Sequence, residues 1–144
     1  MCALLFVDML SKYLLDGRDF NVLGKFLRFE SLHNFGIAFG WFAGQKVIFI
    51  IVNCILTLGA IVAWWFMGRK SAWLNIGFAL FIAGAIGNLY DRIVLGYVRD
   101  FLSFSFFPPV FNLADVFLTL GTAILVVVLT IDTFTDKKGK SDAS

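Results

Sequence analysis

Charge is scarce in this sequence of 144 residues. Only 15% of its residues are Asp, Glu, Lys or Arg, whereas soluble domains carry about 25%. Hydrophobic residues make up 60% of the chain, and the mean hydropathy is +0.87. These values exclude an ordinary soluble domain and indicate a membrane protein with several spans. The net charge is only +2, and no basic run mixed with aromatic residues precedes the tail. We therefore expect no nucleic-acid partner.

Residues that bind metals or form disulfides are equally rare. His33 is the single histidine, which excludes a multi-histidine metal site and leaves at most one candidate for a Ser-His triad. Cys2 and Cys54 lie in apolar segments without metal-type spacing. We interpret them as lipid-facing or core-facing thiols and not as a disulfide. We expect neither a metal site nor another cofactor.

Four apolar segments remain between the polar stretches. Residues 47–67 and 72–89 carry no charge, and each is close to the roughly 20 residues that span hydrocarbon. The last segment, residues 111–131, contains Asp115. The first segment, residues 2–15, is shorter than a usual span and begins abruptly. Either its helix starts at the first residue or the natural chain begins upstream.

The pattern predicts an all-α membrane protein of four transmembrane helices with a small extracytoplasmic β-element. A short strand is expected at residues 26–32, within a cradle at about residues 20–44. A single domain covers residues 1–135, and the charged tail, residues 136–144, is expected to be disordered. Four spans place both termini on one side, and the charges near the span ends favour the cytoplasm.

Charged and amide side chains gather between Gly84 and Leu118, at the ends of apolar segments. A charge in or beside such a segment is costly, so these residues are functional candidates. Asp100 and Asp115 could form a pair that shares one proton. The ionised member would take a proton from water, and the protonated member would donate to a carbonyl oxygen. The residues themselves therefore allow aspartic-protease chemistry at a membrane surface.

Other interpretations stay open at this point. The same acids could form the proton or ion site of a small coupled transporter, or structural contacts in a non-catalytic assembly subunit. In the structural case Asp100 would pair with Arg99 or Arg92, and Asp115 would cap the last helix. The charges lie at span ends on one side, whereas transporter sites lie near the bilayer midplane. Their position favours surface chemistry over translocation.

Five short motifs follow one another along the chain. They are DMLSK at residues 8–12, HNFGIAFG at 33–40, GAIGNLYDR at 84–92, VRDF at 98–101 and FNLAD at 111–115. In this order, on four apolar segments, they resemble the motifs of the bacterial lipoprotein signal peptidases (signal peptidase II). These are membrane aspartic proteases that process prolipoproteins. The resemblance extends from Asp8 to about Gly121.

The resemblance implies a role for each matching residue. The catalytic dyad falls on Asp100 and Asp115. Residues at positions that line the site and hold the substrate or the dyad are Asn34, Asn88, Arg92 and Asn112. Residues at positions expected to support the fold near the site are Asp8, Lys12 and Asp91. Asp91 is the rival for a catalytic role. We prefer Asp100, because we expect a surface loop to carry it over Asp115 and expect Asp91 to be neutralised beside Arg92.

The resemblance also implies a substrate and a location. The substrate is a prolipoprotein whose cysteine carries diacylglyceryl, and the cut falls just before that cysteine and releases the signal peptide. The enzyme lies in the bacterial cytoplasmic (inner) membrane, with its site near the extracytoplasmic face and both termini cytoplasmic. We expect a monomer surrounded by membrane lipid, and expect globomycin-type inhibitors to bind between the two acids. The phenylalanine-rich stretch between Asp100 and Asp115 is expected to affect which mature residues are accepted.

Overall fold

Helices and strands alternate in the computed structural model, which describes residues 1–36, 46–68 and 71–141. The helices are α1 (Cys2–Leu15), α2 (Lys46–Met67), α3 (Ala72–Val94) and α4 (Leu113–Ser141). The strands are β1 (Phe20–Leu23), β2 (Leu27–Asn34), β3 (Val98–Phe104) and β4 (Phe107–Phe111). The glycine-rich end of the expected cradle, residues 37–44, lies outside the described residues, as do residues 142–144 of the tail.

Three of the described helices are long and apolar enough to cross a membrane. These spans are Val47–Met67, Ala72–Val94 and Leu113–Thr135, with mean hydropathies of 2.6, 1.6 and 2.3. They confirm the membrane character predicted from composition. The fourth expected span, α1, is not among them, because its 14 residues fall short of the roughly 20 that cross hydrocarbon.

Helix α1 turns its charged residues inward and its apolar residues outward. Asp8 and Lys12 are fully buried, whereas Phe6 and Tyr13 are 66% and 75% exposed. A surface helix of a soluble protein shows the opposite pattern, with its apolar stripe facing the core. This inverted arrangement suits a helix whose outer face meets lipid and whose inner face supplies polar groups to the bundle.

Helix α3 is the centre of the bundle. Its side chains Leu74, Phe78 and Ile82 form the buried apolar cluster, against which residues of α2 and α4 pack. Glycine lets α3 and α4 approach closely. A Cβ atom on Gly84 would collide with the backbone carbonyl of Ala114 and lie 2.9 Å from Leu118 Cγ. This small-residue contact sets the spacing between the two helices that carry most of the polar site.

The strands form one antiparallel sheet in the order β1-β2-β3-β4, so the expected β-element is confirmed. Asp100 lies opposite Leu32, and Val98 lies opposite Asn34. The expectation that Asp100 lies on a surface loop is wrong, since it is the third residue of β3. Strands β3 and β4 form a hairpin, and the edge strand β4 accommodates Pro108 and Pro109 at the register irregularity between Ser103 and Phe104.

Two helices are longer than the sequence pattern suggests. Helix α3 continues past residue 89 to Val94, so Asp91 and Arg92 occupy its final turns. Helical backbone in α4 continues to Ser141, into the range 136–144 for which the sequence predicts disorder. The extension of α3 matters most for the candidate site, because it places Asp91 and Arg92 close to strand β3.

The close contact between α3 and α4 predicts a matched pair of variants. Gly84→Val places a side chain against the α4 backbone, and overpacking of this kind costs about 1–3 kcal/mol. Gly59→Val makes the same change in α2, where a Cβ atom meets nothing within 4 Å. We expect Gly84→Val to lower the thermal unfolding midpoint in detergent by several degrees and Gly59→Val to leave it nearly unchanged. Equal midpoints would contradict the close packing.

Candidate active site

Asn112 lies at the start of α4 and holds both carboxyl groups of the candidate site. Its Oδ1 accepts a hydrogen bond from the Asp115 N–H at 3.0 Å, and its own N–H donates to Asp115 Oδ2 at 3.1 Å. This reciprocal pair is a capping box, which satisfies N–H groups that a helix start leaves free. Asn112 Nδ2 also donates to Asp100 Oδ1 at 2.6 Å. One fully buried side chain therefore joins Asp100 to Asp115.

Asp100 reaches this point from strand β3. Its second oxygen, Oδ2, accepts a hydrogen bond from Asn34 Nδ2 at 2.9 Å. Asn34 ends β2, and the pairing of β2 with β3 brings the two residues together. The Asp100 side chain is almost entirely buried, with 3% of the residue exposed. The sheet therefore holds this acid by its backbone and by an amide contact from the neighbouring strand.

Burial raises the pKa of the Asp100 carboxyl to about 7, because the charged form loses its hydration. The hydrogen bonds from Asn34 and Asn112 oppose this shift, and the negative charge of Asp115 adds to it. Asp100 is therefore a carboxyl group that can keep a proton near neutral pH. This is the property required of a general acid at that pH.

Asn88, on α3, connects the acids to a buried cation. Its Nδ2 donates to Asp115 Oδ1 at 2.7 Å. Its Oδ1 accepts from Asn112 Nδ2 at 3.1 Å and from Lys12 Nζ at 3.0 Å. The polar chain from Lys12 through Asn88 and Asn112 to the two acids is therefore continuous. Buried polar networks of this kind specify a structure only when their members find partners.

Asp8 joins α1 to the same site. Its Oδ1 accepts a hydrogen bond from the Ala114 N–H at 2.8 Å, so that α1 supplies a cap to the first turn of α4. Its Oδ2 lies 2.9 Å from Lys12 Nζ. This second contact is an ion pair between two fully buried side chains. Gly87 leaves room for the carboxylate, because a Cβ atom there would collide with Asp8 Oδ2.

Asp91 forms ion pairs instead of facing Asp115. Its Oδ1 lies 2.7 Å from Arg99 Nη2, and its Oδ2 accepts from the Arg99 backbone N–H at 3.1 Å. Lys12 Nζ lies 3.6 Å from Oδ2. The ion-pair partner of Asp91 is Arg99, where the sequence favours the adjacent Arg92. Asp91 lies in α3 and Arg99 in β3. The spacing of charges along a helix therefore cannot predict that they pair.

The two arginines near the acids have different partners. Arg99 is occupied by Asp91. Arg92 Nη1 donates to the Asn88 backbone oxygen at 3.3 Å. In the described ranges, neither Asp100 nor Asp115 forms an ion pair with an arginine or a lysine. Most of the Arg92 guanidinium N–H groups therefore remain available near the two acids.

The structure brings the nine residues singled out in the sequence into one connected group. Asp100, Asp115, Asn34, Asn88 and Asn112 form the hydrogen-bond chain. The residues at its edge are Asp8, Lys12, Asp91 and Arg92. Within residues 1–36, 46–68 and 71–141, no cluster of three or more His, Cys, Asp or Glu side chains is arranged to hold a metal ion.

The comparisons with known proteins give one consistent result. The family model described as signal peptidase (SPase) II matches residues 1–131. A lipoprotein signal peptidase of Clostridium novyi is 34% identical over 122 residues, which cover 82% of each chain. One of Caldanaerobacter subterraneus is 37% identical over 115 residues, covering 80% of this chain and 79% of the relative.

A solved structure, described as a bacterial membrane enzyme determined by the in meso method at 2.3 Å resolution, has the same fold. It superposes with a TM-score of 0.83 at 29% identity, over 92% of this chain and 85% of that one. The resemblance noted in the five motifs is thus confirmed over most of the chain. The match of the family model to residues 1–131, together with these relatives, shows that the chain belongs to the signal peptidase II family of aspartic-type membrane peptidases.

Proposed function

We propose that this protein removes the signal peptide from diacylglyceryl-modified prolipoproteins by cleaving the peptide bond just before the lipidated cysteine. Asp100 and Asp115 form its catalytic dyad. The observation that carries the proposal is the double contact of Asn112, whose side-chain and backbone N–H groups bind one carboxyl group each. Two carboxyl groups held this close share a proton, as in other aspartic proteases.

The surroundings of the two acids suggest which one starts with the proton. Asp100 is almost entirely buried and keeps a proton near neutral pH, since burial raises its pKa to about 7. Asp115 is half-buried, and it receives N–H donors from Asn88 and Asn112, which complement an ionised carboxylate. Asp115 is therefore the general base and Asp100 the general acid of the first step.

The chemistry needs only water and the dyad. Asp115 takes a proton from water as the water oxygen attacks the scissile carbonyl carbon, and Asp100 gives its proton to the carbonyl oxygen. The resulting tetrahedral diol collapses as Asp115 passes a proton to the leaving nitrogen and Asp100 recovers one from a hydroxyl group. The C–N bond breaks. The products are a signal peptide with a new carboxyl terminus and a lipidated cysteine with a free amino group.

Arg92 and Asn34 are proposed to hold the substrate. Among the described residues, the Arg92 side chain donates one hydrogen bond, to the Asn88 backbone oxygen, and guanidinium groups have further N–H donors for peptide carbonyl oxygens. Asn34 donates to Asp100 from the end of strand β2. The lipid of the substrate favours this placement, because its acyl chains can remain in the bilayer while the scissile bond reaches the dyad.

The topology proposed for the chain follows from where the acids lie. Asp115 is in the first turn of α4, and α3 ends at Val94 just before the strand that carries Asp100. The dyad therefore lies at one end of the spans, beside the sheet. We assign this end to the extracytoplasmic face of the bacterial inner membrane. Helix α1 is assigned as a fourth, short membrane helix because its apolar side chains face outward, and both termini are then cytoplasmic.

Several finer features complete the proposal. The protein acts as a monomer in membrane lipid, with residues 1–135 as the peptidase domain and residues 136–144 as a cytoplasmic tail. A globomycin-type cyclic peptide is expected to bind between Asp100 and Asp115, where it would occupy the position of the scissile bond. A transporter is disfavoured because the polar chain lies at the end of the helices, whereas coupled transporters place their sites near the midplane.

The first prediction is the loss of cleavage when either acid becomes an amide. Asp100→Asn and Asp115→Asn each remove a proton-transfer group with little change of shape, and such groups contribute roughly 10²–10⁴-fold. Purified protein is incubated with a diacylglyceryl-modified prolipoprotein and with its unlipidated form, and cleavage is followed by gel shift. We expect the wild type to cleave only the lipidated form and both variants to be inactive.

A matched control is available on the same helix as Asp115. Asp132→Asn makes the same chemical change at an exposed position of α4, outside the polar chain, and should retain activity. Appreciable cleavage by either dyad variant would remove that residue from the mechanism. A folded wild type that leaves the lipidated substrate intact would contradict the proposed function itself.

The second prediction concerns pH. The dyad needs one proton, and Asp100 holds it only below its pKa of about 7. Loss of this proton leaves two neighbouring negative charges and no general acid, so kcat/KM should fall as the pH rises through about 7. The value of kcat/KM is measured from about pH 5 to about pH 9 at constant detergent concentration and constant ionic strength. A profile that rises or stays level above neutrality would contradict the assignment of Asp100 as the acid.

A further inference from the structure

We infer that Lys12 is a positioning residue for the reaction: its buried ammonium group fixes the orientation of the Asn88 amide, and this directs an N–H donor toward Asp115. The inference rests on the proposed dyad function and deepens it. It assigns to α1 a part in aligning the acids, beyond a contribution to the fold.

The contacts of Lys12 are few and well defined. Its Nζ lies 3.0 Å from Asn88 Oδ1, 2.9 Å from Asp8 Oδ2 and 3.6 Å from Asp91 Oδ2. The side chain is fully buried. An ammonium group has three donors and no acceptor. Every neighbouring polar atom must therefore be an acceptor.

This requirement settles the direction of the Asn88 amide. An amide can turn over with almost no change of shape, exchanging its oxygen and its nitrogen. Lys12 permits only the orientation with Oδ1 toward Nζ, so Nδ2 points the other way and donates to Asp115 Oδ1 at 2.7 Å. The reversed orientation would set an N–H₂ group against the ammonium and an oxygen against the carboxylate.

The orientation of the Asn88 amide also determines its hydrogen bond with Asn112. Asn88 Oδ1 also accepts from Asn112 Nδ2 at 3.1 Å, and that nitrogen uses its other hydrogen for Asp100 Oδ1 at 2.6 Å. Asn112 has a second restraint, since its Oδ1 accepts the Asp115 N–H. Asn88 has no such backbone restraint on its side chain among the hydrogen bonds of the described residues. Removal of Lys12 therefore leaves Asn88 Oδ1 with Asn112 Nδ2 as its remaining donor.

A simpler role for Lys12 must be separated from this one. Lys12 could serve only as the counter-charge of buried Asp8, because Asp91 already has Arg99. A Lys12→Met change alone would leave the Asp8 carboxylate unpaired, and the loss of a buried partner often prevents folding. The test therefore uses an Asp8→Asn background, in which the side chain at position 8 is neutral in every protein compared.

Three proteins are compared: Asp8→Asn alone, Asp8→Asn with Lys12→Gln, and Asp8→Asn with Lys12→Met. Glutamine keeps an N–H donor for Asn88 Oδ1 without the charge, whereas methionine keeps only the apolar length. We expect kcat on the lipidated substrate to fall roughly ten-fold or more from the first protein to the third, the scale of one hydrogen bond to a charged group. The glutamine protein should lie between them, and KM should stay within about two-fold because the peptide contacts are unchanged.

A readout that needs no turnover comes from the dependence of stability on pH. Because the folded-state pKa of Asp100 is raised, its protonated form is favoured by folding, and stability is lost as the pH rises up to that pKa. The positive charge of Lys12 lowers the pKa of Asp100. In the methionine protein the loss of thermal stability should therefore extend to higher pH than in Asp8→Asn alone.

Other charges near Asp100 are common to all three proteins and cannot produce this difference. They are Asp91 and Arg92 on α3, Asp115 on α4, Arg99 beside Asp100 on β3, and His33 on β2. Equal kcat values and equal pH dependence of stability in the three proteins would overturn the inference and leave Lys12 as a counter-charge. If cleavage is absent even in the wild type, the proposed function fails, while the stability profiles still decide whether Lys12 acts on the acids.

Discussion

The site depends on the position of Asn112, whose side chain contacts one acid directly and caps the helix that carries the other. In a membrane, a polar group without a partner is costly, so the surroundings of such a residue must supply its partners from protein. Strand β3 brings Asp100, α3 brings Asn88, and α4 brings Asp115. Once Asn112 is fixed, its hydrogen bonds set how close the two acids lie, and burial raises the pKa of Asp100.

The rest of the fold keeps this arrangement in place. Glycine at position 84 lets α3 and α4 approach until Asn88 and Asn112 are in contact, and glycine at 87 leaves space for the Asp8 carboxylate. Asp8 then caps α4 from α1. The sheet holds Asp100 through the pairing of β2 with β3. Three helices and two strands thus meet at one buried polar cluster, at the end of the spans and beside the sheet.

Much of the site could be predicted from the sequence, because acids and amides in apolar surroundings are conspicuous and the five motifs carry the family. The contacts could not. Asp8 and Ala114 are 106 positions apart, and no local pattern reports such a pairing. The sequence predicts a loop at Asp100, whereas the residue lies in β3. This strand forms by pairing with β2 and β4, which no local pattern reports. The pairing of Asp91 with Arg99 could not be predicted from helical spacing, because α3 ends at Val94 and Arg99 lies beyond it in β3. Tertiary pairing, not local propensity, decided each of these cases.

The most direct test is the protonation of the proposed dyad, Asp100 and Asp115. Infrared spectroscopy of the protein in lipid can follow the band of a protonated carboxyl group as the pH is raised. The account predicts that the wild type carries such a band near neutral pH, that it disappears with a midpoint of about 7, and that Asp100→Asn lacks this component. If the wild type and Asp100→Asn show the same band and the same titration, Asp100 does not hold the proton, and the account of the site is wrong.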